Sequence, residues 1–128
     1  MQVTRRGGWE ALESLDGKFL FYCKAHGSTE IWKVGISGGE ESLFLKNVAY
    51  RYWAVAKQGI YFIADADRVP CVKFIDFAKW QVTPIVRLEK KLATGGSRGL
   101  ALSPDGHSLL CTLVEQDSSD IMLVENFR

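Results

Sequence analysis

The sequence predicts an all-β chain assembled from three copies of one four-stranded antiparallel unit. LESLDGKFLFYC (Leu12 to Cys23) is echoed by LALSPDGHSLLC (Leu100 to Cys111), and STEIWKV (Ser28 to Val34) by SSDIMLV (Ser118 to Val124). The offset is 89 residues between Gly17 and Gly106 and 90 between Ser28 and Ser118. Register therefore survives across two segments with one inserted residue, and self-similarity of this kind takes precedence over local readings. A degenerate copy, WAVAKQGIYFIAD (Trp53 to Asp65), lies between them, its Gly59 42 residues after Gly17 and 47 before Gly106. Helical periodicity is missing over any useful length, and the one stretch open to a helix, Leu88 to Ala93, is short.

Three copies in 128 residues give about 43 residues each, within the roughly 40–45 residue spacing of four-stranded propeller blades. In the first copy WEALES leads to a turn at Leu15-Asp16-Gly17, where Gly accepts the positive φ of a tight connection. KFLFYCKA is the second strand and the His26-Gly27-Ser28 loop leads to TEIWKVGI, rich in strand formers. Gly38-Gly39 then turns the chain into SLFLKNV. The middle copy runs RYWAVAK, a turn at Gln58-Gly59, IYFIADA, a loop through Arg68-Val69-Pro70, CVKFIDF and QVTPIVRLE. Pro84 suits an outer strand, where one side needs no ladder donor. The last copy runs RGLALS, a turn at Pro104-Asp105-Gly106, HSLLCTLVE, a loop at Asp117-Ser118 and DIMLVENF, which makes three strands. Gln2-Val3-Thr4 repeats Gln81-Val82-Thr83, the opening of the middle copy's outer strand, so the N-terminus reads as the missing fourth strand. The expected organisation is a single segment, 1–128, with blades at about 7–48, 49–90 and 96–128. Residues 2–6 of the same or a neighbouring chain would complete the last blade.

ALSPDGHSLL, the IWKV strand followed by a Gly-Gly turn, and the terminal SSDIMLVENFR resemble TolB-type, WD-repeat-like β-propeller blades with their Pro-Asp-Gly turn. The resemblance covers nearly the whole chain and is strongest in the first and third copies. Leu15 stands where that pattern has Pro, and Gln58 where it has Asp. It implies a bacterial origin and a kinship with sensory propellers attached to winged-helix DNA-binding domains or with the propellers of prolyl oligopeptidase relatives. The motif specifies a fold and leaves the activity open.

Propellers typically have four to eight blades, so three leave strand edges and blade faces open. Two chains would supply six blades and three chains nine. The first expectation is a homodimer in which head-to-tail strand exchange closes a six-bladed ring after one rotation. A piece of a larger propeller is the rival, although ENFR reads as a chain end.

Hydrophobic residues make up 47% and charged residues 24%, which suits a globular chain with a core. The net charge of +1 argues against a dedicated nucleic-acid surface, despite basic pairs at Arg5-Arg6 and Lys90-Lys91. No apolar run approaches the roughly 18 residues of a membrane helix, and no signal peptide is evident, so neither membrane nor export is expected. Cys23, Cys71 and Cys111 cannot all pair within one chain. Cys23 and Cys111 hold nearly equivalent places on second strands, and buried free thiols there favour a reducing, cytoplasmic compartment.

GISGG (Gly35 to Gly39) matches the G-x-S-x-G elbow of serine hydrolases, but that elbow needs a helix after it and EESLFLKNV reads as a strand. Ser37 is therefore assigned to a turn. Asp65, Asp67 and Asp76 lack the Gly and closing Glu of a calcium loop, and His26 and His107 have no ligands at zinc spacing; no metal or cofactor is expected. Trp32, aligned with Met122, and Trp80 are assigned to packing.

One constellation points to binding. Counting back eight residues from each turn glycine gives Trp9, Arg51 and Arg98, which would ring the mouth of a central channel. Guanidinium groups beside an aromatic face suit a carboxylate or phosphate, against the plainer alternative of loop salt bridges to Glu10 or the loop aspartates. With no catalytic constellation in view, the expected function is a noncatalytic module that binds a protein, a peptide or a small anion and assembles with itself. The alternatives are the propeller portion of a larger hydrolase, or a purely structural propeller fragment.

Overall fold

The structure, a computed structural model, describes residues 9–25, 27–64, 69–88, 91–92, 99–115 and 118–125. Every regular element among them is a strand. The first sheet contains β1 (Trp9–Glu13), β2 (Phe19–Cys23), β3 (Ile31–Gly35) and β4 (Ser42–Leu45). The second contains β5 (Val48–Val55), β6 (Gly59–Ala64), β7 (Cys71–Asp76) and β8 (Val82–Arg87). Each is an antiparallel meander in chain order. In the third, β10 (Leu100–Leu102), β11 (Ser108–Glu115) and β12 (Ser118–Glu125) follow in order, and β9 (Lys91–Leu92) pairs with β11 on the side that β10 occupies. The stretch left open to a helix thus places Lys91 and Leu92 in a strand. Residues 2–6, expected to complete this sheet, lie outside the described residues. Antiparallel four-strand sheets of this kind are consistent with propeller blades.

The turns explain why the first and third copies read alike. Ser14 Oγ donates to Asp16 Oδ1 at 2.6 Å, and the same carboxylate oxygen accepts from the Lys18 N–H at 3.0 Å. Ser103 Oγ and the His107 N–H repeat this on Asp105 Oδ1, at 2.6 and 2.9 Å. Gly17 and Gly106 supply φ values of 72° and 78°, which L-residues seldom adopt. In the middle copy Ala56 bonds directly to Gly59 across a two-residue turn, Lys57-Gln58, and no serine or aspartate is needed. Pro84 lies in β8, the edge strand of its sheet.

Alternation on β6 directs one set of side chains to each neighbouring sheet. Ile60 and Phe62 join Phe21, Cys23, Ile31 and Phe44 in one apolar cluster, which also holds Trp53. Tyr61 and Ile63 join Leu100, Leu109, Cys111 and Leu113 in the other. The middle sheet is therefore the filling between the other two, and the innermost strands β1 and β10 both lie against β5.

The register shows where the copies correspond. Phe21 pairs with Lys33, Tyr61 with Phe74 and Leu110 with Leu123. Cys23 and Cys111 fall one residue apart in this correspondence, so they lie on opposite faces of their strands, each turned toward the middle sheet. Both are buried, while Cys71 is partly exposed.

Candidate functional site

The innermost strands share an irregularity at one height. Between Trp9 and Leu12, β1 has one residue more than its partner strand; between Val48 and Trp53, β5 has three more. Bulges of this kind re-aim side chains at the rims of sheets. Arg51 sits inside the second bulge with a φ of 70°, an uncommon conformation for a side chain of its size.

That bulge fastens the second sheet to the third. The Arg51 carbonyl accepts the Gly99 N–H at 2.9 Å, and the Gly99 carbonyl accepts the Thr112 N–H at 2.9 Å. The Tyr52 hydroxyl donates to the Thr112 carbonyl at 2.6 Å. A Cβ on Gly99 would stand 2.5 Å from the Tyr52 ring, so glycine is required for the close approach.

Of the three residues expected at the channel mouth, Trp9 opens β1 opposite Cys23 and Arg51 lies in the bulge of β5, its guanidinium carbon 5.4 Å from the Tyr50 ring centroid. Arg98 lies outside the described residues. The unequal bulges mean that equal counts back from the turns do not give equal heights on the inner strands. Counting alone could not reveal this, because the number of residues one strand spends opposite another is a property of the pairing.

Two clefts open at the opposite, turn-bearing end of the sheets. One, of about 160 Å3, lies between the first and second sheets against Phe19, Phe21, Phe77, Lys33 and Lys57. The other, of about 430 Å3, lies between the second and third against Tyr61, Leu102, Pro104, Asp105 and His107. Leu15 and Lys57 line both, so the two clefts adjoin. The sequence reading overlooked this end because the turn residues already had a structural purpose.

The remaining reactive side chains have local roles. Ser37 is exposed in the turn after β3, where Gly38 and Gly39 take φ values of 98° and 110° before β4 begins. Asp76 Oδ1 accepts the Ala78 and Lys79 N–H groups at 2.8 and 3.0 Å. Asp65, Asp67 and His26 lie outside the described residues. Among the described residues no three His, Cys, Asp or Glu side chains converge as metal ligands, and no helix is long and apolar enough to cross a membrane. Burial pushes the Cys111 thiol up to about 12, away from thiolate chemistry at neutral pH. Trp32, assigned to packing, is half-buried with the Lys24 Nζ 3.7 Å from its ring centroid, and Trp80 is 59% exposed and touches Phe44 only from outside, with ring centroids 5.1 Å apart.

No family model matches the sequence, and no curated protein matches it. Among solved structures the chain is similar to the crystal structure of TolB from Acinetobacter baumannii, with a TM-score of 0.65 over 96% of this chain at 16% identity. The chain spans 31% of that protein's length. Identity this low speaks to architecture alone. What the sheets and this likeness show together is a TolB-like β-propeller fold.

Proposed function

We propose that the chain is a noncatalytic β-propeller binding module that completes its ring with further copies of itself, two chains giving six blades. The observation that carries the reading is the far face of the third sheet. Leu110 and Leu123 are cross-strand partners and stand 47% and 51% exposed. Their counterparts in the middle sheet, Tyr61 and Phe74, are buried beneath the third sheet. A face built to receive a neighbouring sheet thus meets water in the single chain. In the ring, the third sheet of one copy packs on the first sheet of the next, and residues 2–6 supply the outer strand.

The ligand end is the zone of bulges, where Arg51 with Trp9 and Arg98 would face the channel and take a carboxylate or phosphate of a peptide or small anion. Binding is favoured over hydrolysis because Ser37 lies in a glycine turn between two strands, away from any elbow that would activate it. Replacing Leu110 by Arg tests the assembly face. Sedimentation velocity should show the unmodified chain as an oligomer and Leu110→Arg as a folded monomer. Equal sedimentation of the two would overturn the proposal.

A further inference from the structure

The repeat exposes one residue that packing does not explain. Lys33 corresponds to Phe74 in the middle sheet and Leu123 in the third, because each pairs with the corresponding second-strand residue, Phe21, Tyr61 or Leu110. In the second sheet that position carries a buried ring, 4.6 Å from the ring of Tyr61. In the first it carries an ammonium on the face turned toward the middle sheet, where a charge is costly unless it has a partner. Its Nζ stands 3.9 Å from the centroid of the Phe19 ring. Among the described residues no carboxylate lies within ion-pairing distance of Lys33 or Lys57.

The surroundings of Lys33 are those of a recognition site. Phe21 and Phe77 stack with planes 7° apart and centroids at 5.5 Å, and Phe77 is held to the middle sheet by its N–H on the Gln58 carbonyl at 2.9 Å. With Phe19 they wall the cleft of about 160 Å3. A cavity of about 150 Å3 lined by apolar side chains accommodates one benzene molecule. Lys57 adds a second ammonium, and the one acid in the lining, Asp16, is engaged by Ser14 and the Lys18 N–H. Aromatic walls select a ring; two ammonium groups select a negative charge beside it.

We propose that this cleft binds a single aromatic ring bearing a carboxylate, either a free aryl acid or the C-terminal phenylalanine of a peptide. The site lies within one chain, so its test does not depend on ring closure. The test is a titration of 3-phenylpropanoate into the full-length chain, followed by amide chemical shifts. Saturable shifts centred on Phe19, Lys33 and Phe77 are expected, with affinity at least about tenfold above that for 3-phenylpropanamide or propanoate, as loss of a charge-assisted contact implies. Lys33→Met keeps an unbranched side chain one atom shorter and without the charge, and should weaken binding about tenfold while leaving the fold intact. Acetyl-glycyl-phenylalanine separates the two sources. Tighter binding than phenylpropanoate assigns a peptide terminus and weaker binding a free acid, and both support the site. The proposal is overturned by unsaturable shifts, by equal binding of the amide, or by unchanged affinity in a folded Lys33→Met.

Discussion

The second strands of the middle and third sheets, β6 and β11, follow one apolar pattern and meet different fates. Along β6 every residue from Gly59 to Ile63 is buried, because a sheet lies on each side. On β11, Leu109, Cys111 and Leu113 are buried against the middle sheet, while Leu110 stands exposed between them. The strands differ less in composition than in what covers them. An apolar residue on the outer face of a terminal sheet is surplus to the single chain and useful to an assembly.

The sharpest way to break this comparison is to truncate corresponding positions. Phe74→Ala should cost about 3–5 kcal/mol in denaturant unfolding, as expected of a large core side chain. Leu123→Ala should change the stability of the dilute, monomeric chain by less than about 0.5 kcal/mol and weaken assembly. Equal losses would show that the far face of the third sheet is already covered within one chain. Gly99→Ala comes next. Its Cβ would press on the Tyr52 ring at the joint between the second and third sheets, and overpacking of this kind costs about 1–3 kcal/mol, readable in the same unfolding experiment.

Smaller effects are expected at the turns. Ser14→Ala and Ser103→Ala should each cost about 0.5–1.5 kcal/mol, the usual worth of a hydrogen bond, whereas the middle turn has no such serine to lose. These serines also shape the response to acid. Hydrogen bonds from Ser14, then from the Lys18 N–H, hold the Asp16 carboxyl below its ordinary value; Ser103 and the His107 N–H do the same for Asp105. A depressed carboxyl contributes stability that is present above the unfolded value of 3.8 and is lost as pH falls through the folded one. Unfolding midpoints measured at about pH 5 and about pH 3 should therefore converge between the unmodified chain and the Ser14→Ala, Ser103→Ala double variant. The smallest perturbation is thiol labelling at neutral pH. Cys71, partly exposed, should react before Cys23 and Cys111, both buried. Prior labelling of Cys111 would mean that the third sheet opens from the second.

Much of this architecture was legible in the sequence, since strands and turns are written in local alternation and in Ser-x-Asp-Gly punctuation. The inner bulges were not, because they depend on how many residues one strand spends opposite another. Lys91 and Leu92 looked ambiguous because a two-residue strand is too short to show a period. Trp80 misled in a different way, its side chain turned outward by a φ of 56° in the loop after β7. Lys33 was within reach. IWKV over IMLV already sets it against Leu123, but a lysine in a strand reads as a solvent-facing residue until the register shows which face it occupies.

The most direct measurement is the absolute mass of the unmodified chain by light scattering across a dilution series, repeated after deletion of residues 1–6. The ring account predicts twice the chain mass, falling to a single chain on deletion. A folded chain that stays monomeric at every concentration would contradict it.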